Sequence, residues 1–399
     1  MMHDIRVLES EAELRQSSAL FRTAMVGLPA PRADGELLLE PGRTLGAFLG
    51  DELVGTADAT SSGLVLPGGA RVAHAAVTHV GVLPTYTRRG VLTALMTTQL
   101  RDARERGEVV ATLRASEAGI YGRFGYGMAS SMQSVELDLR RARLAGAAES
   151  APVRLLDAAT AWETLADIAS RNPSTRAGTI DRSALWWANQ QSWGPGPGPR
   201  YVAVCGEPGA ETGFARYQPI DTVAWFGSRD RTVVVGDLYA PTPDAHLALV
   251  RFLMSLDLVD TVVFNALPLD DPLPWLLTDY RAARVRSVSD ETWLRLLDVP
   301  AAIAARALAG PGTVTIEVRD ALLPENAGAY AISADGTARV DGPGELAVDV
   351  ATLAAAFLGG ARWRQLAAAG LVEVRDGAAL SRADMLFAVD EEPFAGVMF

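Results

Sequence analysis

Lysine does not occur in this chain: all 36 basic side chains are arginine. That absence excludes a Walker-type phosphate loop, a pyridoxal Schiff base and a lysine nucleophile. A codon bias toward arginine accounts for it more simply than any chemical demand. Cysteine is almost as scarce. Cys205 stands alone, so no internal disulfide can form, which fits a reducing compartment. The four histidines, His3, His74, His79 and His246, show no metal-ligand spacing with a cysteine or with each other. His74 and His79 lie five apart on an expected strand and so face opposite sides of it. No metal is expected. There is no G-x-S-x-G elbow, and Cys205 falls in a strand-like run, so a hydrolase triad has no support. No apolar run approaches the ~20 residues of a membrane helix. The opening residues are acidic and helix-like, with no basic-then-apolar leader. A cytoplasmic protein without a membrane partner is expected. Positive charge is also short: the net charge of −12 argues against nucleic acid and mildly favours a cationic small molecule.

What is present reads as globular throughout. A length of 399 residues suits two or three domains. The expected division is 1–147, 148–284 and 285–399. The first junction is an Ala/Gly-rich connector at 140–152. The second segment runs through helices, a Gly/Pro break at 194–200, then strand-like runs at 201–206, 213–218, 222–227 and 232–240, a helix at 243–257 and another strand. The third opens near Val285 with a strand and helix, continues through short strands and ends in Ala-rich helices.

The chemistry concentrates between His74 and Gly127. Residues 74–82 alternate as a half-buried strand that Pro84 ends. A short Arg/Gly loop follows. Leu92, Leu95, Met96 and Leu100 then recur at helical spacing. Strand, loop and helix start make an anion site, because the first helical amides have no intrahelical acceptor and the helix dipole favours negative charge. Arg88 and Arg89 add charge-assisted donors, and Gly90 lets backbone approach a phosphate. One glycine with two arginines suits a pyrophosphate on a single turn, although an ordinary basic surface turn reads the same way. A further strand, 109–116, leads to a glycine-rich turn bearing Tyr121, Gly122, Arg123, Phe124, Gly125 and Tyr126.

This combination resembles the GNAT superfamily of N-acetyltransferases. The runs 115–127 (ASEAGIYGRFGYG), 88–96, 271–279 and 293–302, with the aromatic last residue, look like the enhanced intracellular survival (Eis) acetyltransferases. The resemblance covers nearly the whole chain. It implies an α+β/α/β architecture: two tandem GNAT-like domains with mixed sheets and flanking helices, then a sterol-carrier-protein-like α+β domain. It also implies a homo-hexamer, acetyl-coenzyme A as co-substrate bound by the first domain, and a small-molecule amine acceptor such as an aminoglycoside. By the same resemblance, Val80, Gly81 and Val82 take the pantetheine arm and acetyl carbonyl. Arg88, Arg89, Gly90, Val91, Leu92 and Thr93 take the pyrophosphate, and Ser116 and Glu117 line the cofactor side. Tyr121, a phenol protonated at neutral pH, is the implied general acid. The carboxylate of Phe399 is the implied base, although a terminal carboxyl titrates at roughly 3.5 unless burial raises it.

Some positions depart from the family pattern. Thr87 stands at the loop's first position, where Arg or Gln is usual. Gly81, Met398 and Thr23 replace bulkier or acidic residues, so a roomier and less negative acceptor pocket is expected. The second segment has no counterpart of the Arg/Gly loop or the Tyr-Gly turn and is read as non-catalytic. A different class of function, a hydrophobic-ligand carrier working through the C-terminal domain, is the alternative.

Overall fold

The computed structural model describes residues 4–28, 37–146, 150–192 and 198–399. His3, the expected junction at 147/148 and most of the Gly/Pro break lie outside the described residues. The chain begins with β1 (Asp4–Val7), α1 (Glu11–Met25), β2 (Leu45–Leu49), β3 (Glu52–Val65) and β4 (Arg71–Val82). Then come α2 (Val91–Glu105), β5 (Val110–Leu113), α3 (Ala118–Tyr121) and β6 (Gly127–Asp138). The middle holds β7 (Val153–Leu156), α4 (Trp162–Arg171), α5 (Ala184–Ser192), β8 (Tyr201–Cys205), β9 (Gly213–Pro219), β10 (Thr232–Tyr239), α6 (Pro243–Met254), β11 (Thr261–Pro268) and β12 (Ala283–Leu296). The last third holds α7 (Val299–Ala305), β13 (Thr313–Arg319), β14 (Gly328–Ser333), β15 (Gly336–Val340) and β16 (Leu346–Asp349). It closes with α8 (Val350–Phe357), α9 (Trp363–Ala368), β17 (Val372–Val374) and α10 (Gly377–Leu386).

Contacts divide the chain into two units. The first takes the described residues up to Ser130, Glu291–Pro393 and Phe399; the second takes Ser131–Asp290 and Phe394–Met398. In the first unit the strands run β1-β2-β3-β4-β5-β12, beside a separate sheet ordered β15-β14-β13-β16-β17. β4 and β5 are parallel, which requires a crossover, and α2 supplies it. α2 lies so close on β3 that a Cβ on Gly55 would meet Val91 at 2.8 Å and Leu95 at 3.0 Å. Val285, the expected start of the third segment, falls inside β12, whose later residues pair with β5 (Trp293 opposite Leu113).

The same unit joins β12 to the C-terminal elements through a buried network. Arg295 donates to both oxygens of Asp320 at 2.8 and 2.7 Å, and the Asn326 amide donates to the same carboxylate at 3.0 Å. Gly127 at the start of β6 packs against the backbone of α8: a Cβ there would sit 2.6 Å from the Ala355 nitrogen.

The second unit repeats the plan with strands in the order β6-β11-β10-β9-β8-β7. β10 and β11 are parallel, with α6 between them. Thr242 caps α6, its hydroxyl accepting from the Ala245 amide at 3.2 Å, and Pro243 occupies the first turn. The strand expected at 222–227 is instead a 3₁₀ turn, Thr222–Ala224, entered through Asp221 at φ 55°. The cause is topological. β9 and β10 pair directly (Pro219 opposite Val233), so the residues between them close a hairpin and have no ladder to join.

Candidate active site

The Arg/Gly loop joins the end of β4 to the start of α2. After Val82 the chain makes a single 3₁₀ turn, Pro84–Tyr86. Arg88 (φ 61°) and Gly90 (φ 82°) both adopt left-handed backbone before α2 begins. Gly90 is the N-cap residue, and no side chain caps the helix among the described residues. Gly90 has no side chain to accept from the first amides of α2, whereas in α6 the Thr242 hydroxyl accepts from one of them. Arg88, Arg89, Gly90 and Thr93 are exposed; Leu92 is half-buried. Val91 differs from its expected place on the binding side. Its side chain is in the core with Leu95, Met96 and Leu100, so only its amide is available to a ligand. The Thr87 hydroxyl is used within the loop, donating to the Pro84 carbonyl at 3.1 Å. Arg89 lies over the Tyr86 ring, and that phenol donates to Glu52 at 2.6 Å.

β4 is bulged beside β3. Thr56 pairs with Gly81 and Asp58 with Thr78, so Ala57 faces two residues, His79 and Val80. His79 takes up the excess with φ 48°. The ladder to β5 runs from His74–Val110 to Ala76–Thr112, and β4 continues past it to Val82. Val80, Gly81 and Val82 lie on this run-on segment, where backbone groups can meet an extended ligand as a strand would. Gly81 does not open a pocket as its small size implies. A Cβ there would be 3.1 Å from Ala24 and 3.4 Å from Phe21, so α1 already fills the space.

Beyond β5, Ser116 and Glu117 are exposed at the start of α3, and Tyr121 at its end is buried. Burial pushes the Tyr121 phenol above its ordinary pKa, against a hydrogen bond with Ser116 that lowers it, and the nearby Glu117 charge raises it further. The phenol thus holds its proton through neutral pH. Val80, Val91 and Tyr121 share one apolar cluster, with Val82 and Leu92 packed against it. The sequence-derived residues of β4, α2 and α3 are in this sense one assembly.

Phe399 belongs to the same unit, its ring 5.9 Å from the Arg114 guanidinium at the end of β5. Glu291, almost fully buried, holds Arg114 at 3.3 Å and accepts from the Ser130 hydroxyl at 2.8 Å. The preceding tail is fixed within the second unit. Phe394 donates to the Ala177 carbonyl at 2.9 Å, and Ile180 donates to that of Ala395 at 3.2 Å. Arg182 reaches the Gly396 carbonyl at 3.0 Å. Sequence reasoning missed Arg114, Arg182 and the pairing of His79 with Asp58. No local signal marks the first two, and the third depends on the bulge.

The chain matches known protein families along most of its length. Residues 4–129 and 178–296 match two separate families, both described as acetyltransferase (GNAT) domain, and 299–396 match the sterol carrier protein domain. The protein is an acetyltransferase with two GNAT domains followed by a sterol-carrier-type module. It is 35% identical over 86% of its length to the N-acetyltransferase Eis of Mycobacterium tuberculosis, covering 85% of that protein. An uncharacterized N-acetyltransferase of Streptomyces coelicolor is 37% identical, with 99% of both chains covered. The crystal structure of Eis1 from Mycobacterium abscessus superposes with a TM-score of 0.94 at 47% identity, covering all of both chains. The chain belongs to the Eis family of N-acetyltransferases. No helix among the described residues is long and apolar enough to cross a membrane.

Proposed function

We propose that this enzyme transfers an acetyl group from acetyl-coenzyme A to a primary amine of a small-molecule acceptor, aminoglycoside-like or another amine. The observation that carries the reading is the uncapped start of α2, behind two left-handed residues and beside Arg88 and Arg89. Its amides and guanidinium groups suit a diphosphate, and the run-on end of β4 suits the pantetheine arm. When bound, acetyl-coenzyme A supplies a thioester-activated acyl group. Tyr121, kept protonated by burial, donates its proton to the departing sulfur. The Phe399 carboxylate accepts a proton from the attacking nitrogen, and the Gly396 and Met398 carbonyls are tethered just before it. Val80, Gly81 and Val82 hold the acyl end, while Ser116 and Glu117 border the cofactor side. Assembly as a cytoplasmic homo-hexamer is part of the same reading and is supported by the family resemblance.

The test is a panel of amines with acetyl-coenzyme A, read by thiol release, together with thermal unfolding in the presence of coenzyme A. A ligand that binds only the folded state at a hundredfold its Kd stabilises by about 2.7 kcal/mol. No thermal shift at millimolar coenzyme A, with no thiol release, would reject the reading in favour of a carrier role for the C-terminal module.

A further inference from the structure

At the bulge of β4, His79 pairs with a side chain of β3, and the reading above uses neither. Asp58 on β3 is 2% exposed. Its Oδ1 accepts from the Thr44 hydroxyl at 3.0 Å, and its Oδ2 lies 3.3 Å from His79 Nδ1. The Gln99 amide, from α2, donates to the Asp58 backbone carbonyl at 3.0 Å. Thr44 thus holds the carboxylate and Gln99 the main chain of the same residue. The Phe21 ring of α1 meets the imidazole edge-on, with centroids 5.0 Å apart. Nδ1 beside a carboxylate oxygen is the donor, and the tautomer that pairing selects in the neutral ring has its lone pair on Nε2. The imidazole is 44% exposed while its partner is buried. His79 also holds a left-handed backbone that a β-strand histidine ordinarily avoids, and it immediately precedes Val80–Val82. A buried carboxylate orienting a partly exposed imidazole is the arrangement in which histidine serves as a general base.

We propose that His79, oriented by Asp58, is a catalytic base that removes the first proton from the acceptor's ammonium group. The inference rests on the acetyl-transfer reading. An alkylammonium has three N–H protons and the amide product keeps one, so two must leave. His79 Nε2 takes the proton whose loss uncovers the nitrogen lone pair, and releases it to solvent through its exposed face. The second proton leaves to the Phe399 carboxylate as the N–C bond forms and the C–S bond breaks. Tyr121 protonates the sulfur, and the carboxyl proton of Phe399 restores the phenol. The net products are the N-acetyl amine, coenzyme A thiol and one proton.

The role predicts a dependence on the acceptor that a merely structural histidine would not produce. A simple alkylamine arrives protonated at neutral pH, whereas benzohydrazide arrives neutral and has no first proton to lose. The full-length wild-type enzyme, His79→Gln and Asp58→Asn are compared with both acceptors at saturating acetyl-coenzyme A. In His79→Gln the ratio of the alkylamine kcat to the hydrazide kcat is expected to fall about a hundredfold, with a smaller fall in Asp58→Asn. Added imidazole is expected to restore part of the alkylamine rate in His79→Ala. Equal losses with both acceptors, or rates unchanged with both, would overturn the proposal. Thermal shift by coenzyme A in each variant separates loss of folding from loss of base. If His79→Gln does not fold, the same ratio in Asp58→Asn decides, and an unchanged ratio there overturns the proposal. A wild-type enzyme that acetylates neither amine nor hydrazide would sink the parent reading as well.

Discussion

Trp186 donates its indole N–H to the Met398 carbonyl at 2.7 Å, immediately before the last residue of the chain. Arg182, which makes two 2.8 Å hydrogen bonds to Asp237, lies over the Trp186 ring and also reaches Gly396. A tail held this firmly is not a frayed terminus. Appending a short peptide after Phe399, or deleting Phe399, is expected to lower kcat by about a hundredfold. Coenzyme A affinity should stay unchanged. Thiol-release kinetics and isothermal titration check the two halves, and a fully active tagged enzyme would remove the carboxylate from the mechanism.

Tyr121→Phe is expected to reduce kcat by about a hundredfold without weakening coenzyme A binding. The pH profile gives the sign. Burial raises the Tyr121 pKa, so its proton is lost only above the ordinary phenol value of about 10, and the rate should hold across neutral and mildly alkaline pH. An alkaline limb that begins well below that value and vanishes in Tyr121→Phe would contradict the burial argument.

Replacing both Arg88 and Arg89 with alanine should act on phosphate contacts alone. Each lost charge-assisted hydrogen bond costs about 1.5–3 kcal/mol, roughly ten- to a hundredfold in Kd. Acetyl-coenzyme A should bind correspondingly less well, whereas acetyl-pantetheine, which lacks the diphosphate, should be used as efficiently as by the wild type. Steady-state KM values for the two donors check this. Equal weakening of both would place the arginines elsewhere in the mechanism.

His74 makes stability depend on acid. It is fully buried, with Nε2 2.6 Å from the Thr112 hydroxyl, and burial, helped by the Arg43 charge, lowers its pKa from 6.5 to about 3. The unfolded chain takes up a proton below pH 6.5 that the native state refuses until pH falls to about 3. The stabilisation is thus complete above 6.5 and declines through that window, at up to about 1.4 kcal/mol per pH unit. His74→Gln should flatten this part of the pH dependence of the urea midpoint. A variant with the same slope as the wild type would refute the assignment.

The legibility of the sequence varied with the range of the interactions concerned. Pro84, Gly90 and the helical spacing after it located the end of β4 and the start of α2, because strand breakers and caps act within a few residues. The same spacing favoured Leu92 over Val91 for the core, since a helix's first turn is set by how it settles on β3, which periodicity does not report. Residues 222–227 are rich in β-formers yet close a hairpin, because strand propensity is realised only where a partner strand is available. Strict alternation put His74 and His79 on opposite faces, but an inserted bulge residue changes that parity, and the link between His79 and Asp58 depends on it. Nothing near Met398 in sequence names Trp186.

The meeting of Gly127 with α8 limits how the protein can be divided. A side chain at residue 127 would strike main-chain atoms that cannot swing aside, so the Tyr-Gly turn is moulded against a helix encoded more than two hundred positions later. Cutting the gene after the second GNAT stretch would leave β6 with a bare face and Arg295 with no carboxylate. Anyone wanting a minimal acetylating fragment must therefore retain the sterol-carrier portion as scaffolding, whether or not it ever meets a lipid.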